Sequence, residues 1–134
     1  MNHDQAMLNG CSRYVRVVAC SHGIQGLQRE AQRLVRKLRA AREACGHEHR
    51  VLEEALYIEE SVDVRIAHLV ACNDLPGIGH EVDRLLERIL RGQRLVDPRT
   101  KAALILHTSS EHWERWPHYQ AKLDYFTVGY RYAA

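Results

Sequence analysis

The clearest pattern in the chain is a stripe of apolar residues that recurs in steps of three and four between Ile24 and Cys45. This spacing puts the stripe on one face of an α-helix. Arg29, Arg33 and Arg36 recur in the same steps and lie about half a turn away from the stripe. The pattern therefore predicts a long helix with one buried face and an arginine-rich outer face.

Shorter apolar patterns predict further helices after the long one. Residues 51–58 predict a second helix with an acidic outer side, which makes an antiparallel helical hairpin with the first. Ser61 is a favourable cap for a third helix, and residues 80–91 predict a fourth that stops at Gly92. The pair Asp97-Pro98 is typical of a helix start and predicts a fifth helix.

The two ends of the chain are less regular. Residues 1–21 fit a helix face but include a short run typical of a strand, and we favour the helix, with Ser21 capping the long helix that follows. Of the nine aromatic residues, seven lie after residue 110. Apolar residues alternate near the C-terminus, which predicts a short extended arm. Whether residues 5–20 and 125–132 are helix or strand stays open.

The length of 134 residues and the hydrophobic content of 46% suit one domain with its own core. We therefore expect a mainly α fold, a compact single-domain bundle of five to six helices with a short extended C-terminal arm. Its parts are a helical hairpin at 24–60, a helix-turn-helix-like hairpin at 62–91 and an aromatic C-terminal segment at 111–134.

Charge and apolar runs limit the environment and the partners. The net charge is only +2, so attraction to a polyanion must come from a local patch. The longest apolar run, Ala102 to Leu106, is too short to span a bilayer, and the first twenty residues lack the apolar run of a secretory signal. We therefore expect a cytoplasmic protein that makes no membrane contact, with reduced and mostly buried cysteines.

The most specific local motif is Leu75-Pro76-Gly77-Ile78-Gly79, between two predicted helices. Over residues 69–89 the chain resembles the helix-hairpin-helix motif of proteins that bind DNA without reading its sequence. The resemblance implies that the amides of Gly77, Ile78 and Gly79 hold backbone phosphates, where glycines allow close approach and a helix begins.

Arginines on the helix after this motif would extend the phosphate contact. Arg84, Arg88 and Arg91 lie on its predicted outer face. One residue departs from the family pattern. Asp83 stands where the family has a small apolar residue at the contact between the two helices, and a buried carboxylate there is costly.

These observations favour a small, non-enzymatic protein that binds nucleic acid regardless of sequence. The Pro76–Gly79 turn and its arginines would contact phosphates, and Arg29, Arg33 and Arg36 would enlarge the patch. The sequence has no phosphate loop, nucleophile elbow or H-E-x-x-H motif, so we do not expect an enzyme.

The alternative hypothesis is a helical protein-interaction module, which is an adaptor, an inhibitor or an assembly subunit. Aromatic residues dominate interface hot spots, and the C-terminal segment supplies Trp113, Trp116, Tyr119, Tyr125, Phe126, Tyr130 and Tyr132. A homo-oligomer is one form of this hypothesis.

Metal binding is a weaker hypothesis. Cys45, His47 and His49 offer three possible zinc ligands within five residues. Their spacing matches no usual zinc site, and Cys20 and His22 lie at the other end of the long helix. We therefore expect no metal and no cofactor.

Overall fold

The computed structural model describes Leu8, Gly10 and residues 11–47 and 49–107. This part of the chain forms five helices and no strand: α1 (Arg13–Cys45), α2 (Arg50–Ala55), α3 (Val62–Ala71), α4 (Leu75–Leu95) and α5 (Lys101–His107). The predicted all-helical bundle is confirmed over these residues. The predicted aromatic segment at 111–134 and its extended arm lie outside the described residues.

Two helices organise the bundle. α1 and α4 pack against each other, and each also contacts α2, α3 and α5. The seam between them buries large side chains completely, among them Leu27, Leu34 and Leu38 from α1, with Leu85 and Ile89 from α4. Each fully buried side chain of this size contributes roughly 1.5–3 kcal/mol to folding. None of the five described helices is long and apolar enough to cross a membrane.

The apolar stripe predicted on α1 is its buried face. Leu27, Ala31, Leu34, Leu38 and Ala41 are buried, while the residues at the two ends of the stripe are half-buried. The helix ends where predicted, at Gly46, whose positive φ of 67° suits glycine at a helix end.

α1 starts earlier than predicted. The helix begins at Arg13, and the Ser12 hydroxyl caps it by accepting a hydrogen bond from the Val15 amide at 3.1 Å. Ser21 is therefore not the first residue of the long helix. The break lies two residues later, at Gly23, whose φ of 65° and ψ of −161° are accessible essentially only to glycine.

A second glycine makes room for the bend in α1. A β-carbon at Gly26 would overlap with the Cβ of His22, which the bend brings against it. Gly23 supplies the backbone conformation and Gly26 supplies the space. Together, the two glycines account for the bend in α1.

The boundaries of α4 and α5 differ from the prediction. α4 begins at Leu75, so the Pro76–Gly79 segment forms its first turn instead of a connector. Gly92 does not stop α4, because the helix continues to Leu95 and Gly92 packs closely on Leu56. α5 begins at Lys101, after a turn in which the Thr100 hydroxyl accepts from the Ala103 amide at 3.2 Å.

Gly26→Ala is predicted to destabilise the protein by about 1–3 kcal/mol, as overpacked sites do. The usual effect of this change inside a helix is stabilisation, because glycine is the worse helix former. Urea unfolding of both proteins measures the difference. Gln32→Ala, at an exposed position of the same helix, is the control and should shift the midpoint little. An increase in stability for Gly26→Ala would show that the bend is not held by close packing.

Candidate nucleic-acid interface

The predicted hairpin motif forms the capped first turn of α4. The Asp74 side chain accepts a hydrogen bond from the Gly77 amide at 3.0 Å. Ile78 and Gly79 are buried, and a β-carbon at Gly79 would lie 3.0 Å from Val15 Cγ1 and 3.1 Å from the thiol of Cys11. In this structure the Gly77 amide binds a carboxylate of its own chain, and Gly79 allows close packing of α1. The resemblance to the helix-hairpin-helix motif stays a prediction.

Asp83, the departure from the family pattern, contacts the start of α1. Its Oδ2 accepts a hydrogen bond from the Ser12 amide at 2.7 Å. Burial raises the pKa of Asp83, although the hydrogen bonds from Ser12 act in the opposite direction. The carboxylate therefore binds an amide at the helix N-terminus, where a negative charge is favourable.

Arg84 belongs to a cluster of four charged residues that joins three segments. Arg65 of α3 donates to Glu81 of α4 at 2.8 and 3.2 Å and to Glu59, before α3, at 2.5 Å. Arg84 donates to Glu81 at 2.5 Å and to Glu59 at 3.0 Å. We call Glu59, Arg65, Glu81 and Arg84 the four-residue cluster. Each carboxylate therefore lies between two guanidinium groups.

The four-residue cluster holds its carboxylates in the ionised form. Hydrogen bonding from Arg65 is the main reason why the pKa of Glu59 falls to about 2. Burial alone would raise the pKa of Glu81, but hydrogen bonds from Arg65 and Arg84 outweigh burial and lower it. The same contacts raise the pKa of Arg65. The cluster is a structural clamp between α3, α4 and the segment that joins α2 to α3.

The other predicted arginines of α4 also contact the protein itself. Arg88 donates to the backbone carbonyl of Tyr57 at 2.5 Å and so fastens the end of α2 to α4. Arg91 lies 3.7 Å from Glu87, four residues earlier, with both side chains more than half exposed. An exposed pair of this kind contributes little to stability. Among Arg84, Arg88 and Arg91, Arg91 therefore has the weakest contacts within the protein.

The three arginines of α1 that the sequence analysis singled out divide into two groups. Arg33 forms an ion pair with the buried Glu30 of the same helix. Arg29 and Arg36 are exposed, and within the described residues no hydrogen bond or ion pair involves either side chain. They are seven residues apart, which is about 10 Å along a helix. Exposed Gln25 and Gln32 lie on the same face, and we call these four residues the arginine stripe.

Charge is distributed unevenly between α1 and the rest of the chain. α1 carries eight of the 19 basic residues and only two of the 17 acidic residues. Some of this excess is neutralised at the edges of the helix, where Arg39 pairs with Asp63 at 2.9 Å and Arg42 with Glu53 at 3.2 Å. The arginine stripe lies on the side of α1 away from the core.

Two of the candidate metal ligands near the end of α1, Cys45 and His47, contact other groups of the chain. The thiol of Cys45 lies 3.1 Å from the Arg42 carbonyl, and His47 Nδ1 lies 3.1 Å from Glu53. In the part of the chain that the structure describes, no three His, Cys, Asp or Glu residues could hold one metal ion. The expectation of mostly buried cysteines is wrong, because only Cys11 is buried, while Cys20 and Cys72 are exposed.

Sequence reasoning missed the partners of the arginines. The spacing of three residues between Glu30 and Arg33, and between Glu81 and Arg84, is a signal for ion pairs within a helix and was available in the sequence. The contribution of Glu59 had no such signal, because Glu59 precedes Arg84 by 25 residues. The aromatic residues proposed to bind a partner all lie outside the described residues.

No family model, curated protein or solved structure matches the chain. The assignment of function therefore depends on the arrangement of its own residues.

Glu59→Gln is predicted to lower the free energy of unfolding near neutral pH and to change it little in acid. The folded-state pKa of Glu59, about 2, is below the unfolded value of about 4.3. The ionised Glu59 therefore stabilises the folded protein fully at pH values above its unfolded-state pKa. This stabilisation is lost as the pH falls through the folded-state pKa. Urea unfolding of both proteins between pH 7 and 2 should show curves that converge in acid. Glu54→Gln, at an exposed position of α2, is the control. A difference in the free energy of unfolding between the wild type and Glu59→Gln that stays constant from pH 7 to 2 would contradict the lowered pKa of Glu59.

Proposed function

We propose that this chain is a small, non-enzymatic protein that binds the phosphate backbone of nucleic acid on the exposed face of α1. The observation that carries the proposal is the arginine stripe, in which Arg29 and Arg36 are exposed, whereas Arg33, Arg84 and Arg88 bind groups of the protein. Guanidinium groups suit phosphate oxygens because they can donate two parallel hydrogen bonds.

The arginine stripe has the charge pattern of a backbone-binding surface. The helix that carries it is strongly basic although the whole chain is nearly neutral, so the attraction is local. Gln25 and Gln32, on the same face as the arginines, add donors without adding negative charge. The stripe lies on the part of α1 that follows the break at Gly23 and contains no aromatic residue, so it favours contact with phosphates over reading of bases.

In this proposal the Pro76–Gly79 turn is not the main contact. A phosphate at that turn would have to displace the Asp74 carboxylate from the Gly77 amide. Recruitment of Arg84 would break the four-residue cluster, and recruitment of Arg88 would release the Tyr57 carbonyl. The arginine stripe requires no such rearrangement.

Binding to labelled random-sequence duplex DNA, measured by fluorescence anisotropy from about 50 to 200 mM salt, tests the proposal. The affinity of the wild type should fall steeply with salt. Arg29→Gln/Arg36→Gln should reduce the slope of log K against log salt by about two, since each lost phosphate contact reduces it by about one.

Arg94→Gln/Arg99→Gln removes the same charge from two exposed positions outside α1 and is the matched control. It should leave the slope close to that of the wild type. An equal reduction of the salt-dependence slope in the two double variants would contradict a specific binding surface on α1. Absence of binding at 50 mM salt would contradict the proposal altogether and favour the protein-interaction hypothesis.

A further inference from the structure

His68 and Cys72 form a pair of metal-binding side chains at the end of α3. They are four residues apart, so they lie on the same side of the helix. Both residues are exposed, and the thiol of Cys72 lies 3.6 Å from His68 Nε2 and 4.0 Å from Nδ1. Neither the fold nor the proposed phosphate contact involves this pair.

The separation of the two donor atoms fits one tetrahedral zinc ion. Zinc binds imidazole nitrogen at about 2.0–2.1 Å and thiolate sulfur at about 2.3 Å. At a tetrahedral angle these bond lengths put the two donors about 3.5 Å apart. A spacing of four residues is also how helical H-E-x-x-H motifs direct two ligands to one zinc ion. The pair therefore has the geometry of two adjacent zinc ligands.

One chain supplies only half of such a site. Structural zinc takes four protein ligands, and among the described residues no third His, Cys, Asp or Glu joins the pair. A second copy related by a two-fold axis would supply the same two ligands, because such an axis brings identical surfaces together. The result would be a set of two cysteines and two histidines.

The surface around the pair suits contact between two copies of α3. Val64 is 73% exposed, and Ala67 and Ala71, which lie beside His68 on this face, are exposed as well. The alanines would let the two helix axes come close together. Arg65, seven residues before Cys72, lies on the same side of α3 and is bound by Glu59 and Glu81, while Asp63 pairs with Arg39 of α1.

We propose that His68 and Cys72 are half of a zinc site that a second copy of this chain completes, with the α3 helices packed across the two-fold axis. Zinc is the metal that this mixed nitrogen and sulfur set favours. Each bound ion would release two thiol protons to solvent as the cysteines become thiolates, so binding should weaken as pH falls.

The test is metal uptake and molar mass of the full chain, reduced with a phosphine that does not bind zinc. Zinc titration should saturate at one ion per two chains, and sedimentation should show the molar mass doubling with zinc and returning with EDTA. Cobalt in place of zinc should give the charge-transfer absorption of thiolate bound to a tetrahedral ion.

Variants separate the ligands from the contact surface. His68→Ala and Cys72→Ser should each abolish both the cobalt absorption and the zinc-dependent mass change, with unchanged helical circular dichroism. Val64→Glu keeps both ligands but should weaken the dimer at least tenfold through charge repulsion. Cys20→Ser removes another exposed thiol and should behave as the wild type. Absence of zinc uptake by the wild type, uptake of one ion per chain without dimers, or loss of uptake in Cys20→Ser would overturn the proposal.

Discussion

The packing of α1 against α4 is the constraint on which the rest of the described structure depends. These two helices contact every other helix, and the side chains between them are the most deeply buried. Close approach requires glycine at position 79, where the start of α1 lies against α4. With one face of α1 committed to this seam, the opposite face must point away from the core, and that face carries Arg29 and Arg36.

The same packing decides which arginines are available to a ligand. Acidic residues on α4 and in the segment before α3 lie close enough to bind Arg65 and Arg84, and this four-residue cluster joins three segments of the bundle. Partly exposed ion pairs contribute modestly as isolated contacts, but a network shares the ordering of its side chains. Charge in this protein thus has two roles, stabilisation at the α3–α4 contact and, in our proposal, phosphate binding on α1.

Local patterns in the sequence predicted the helices well and their ends poorly. The stripe on α1 was predictable because every third or fourth residue is apolar, a signal that needs no knowledge of neighbours. Gly92 was misread as a stop because the residue that fills the space beside it, Leu56, is distant in sequence. For the candidate site, the outer position of Arg29 and Arg36 was predictable. The tertiary partners of Arg84 and Arg88 were not, since they come from residues 57–59.

The most direct test of the central claim, that the exposed face of α1 is the binding surface, is to follow the arginine Nε–Hε signals by NMR as a random-sequence duplex is added. Those of Arg29 and Arg36 should shift progressively, while those of Arg65 and Arg84 stay in place because the four-residue cluster already binds them. Shifts confined to Arg84, Arg88 and the Gly77 amide, with Arg29 and Arg36 unchanged, would contradict the account and place the contact at the start of α4.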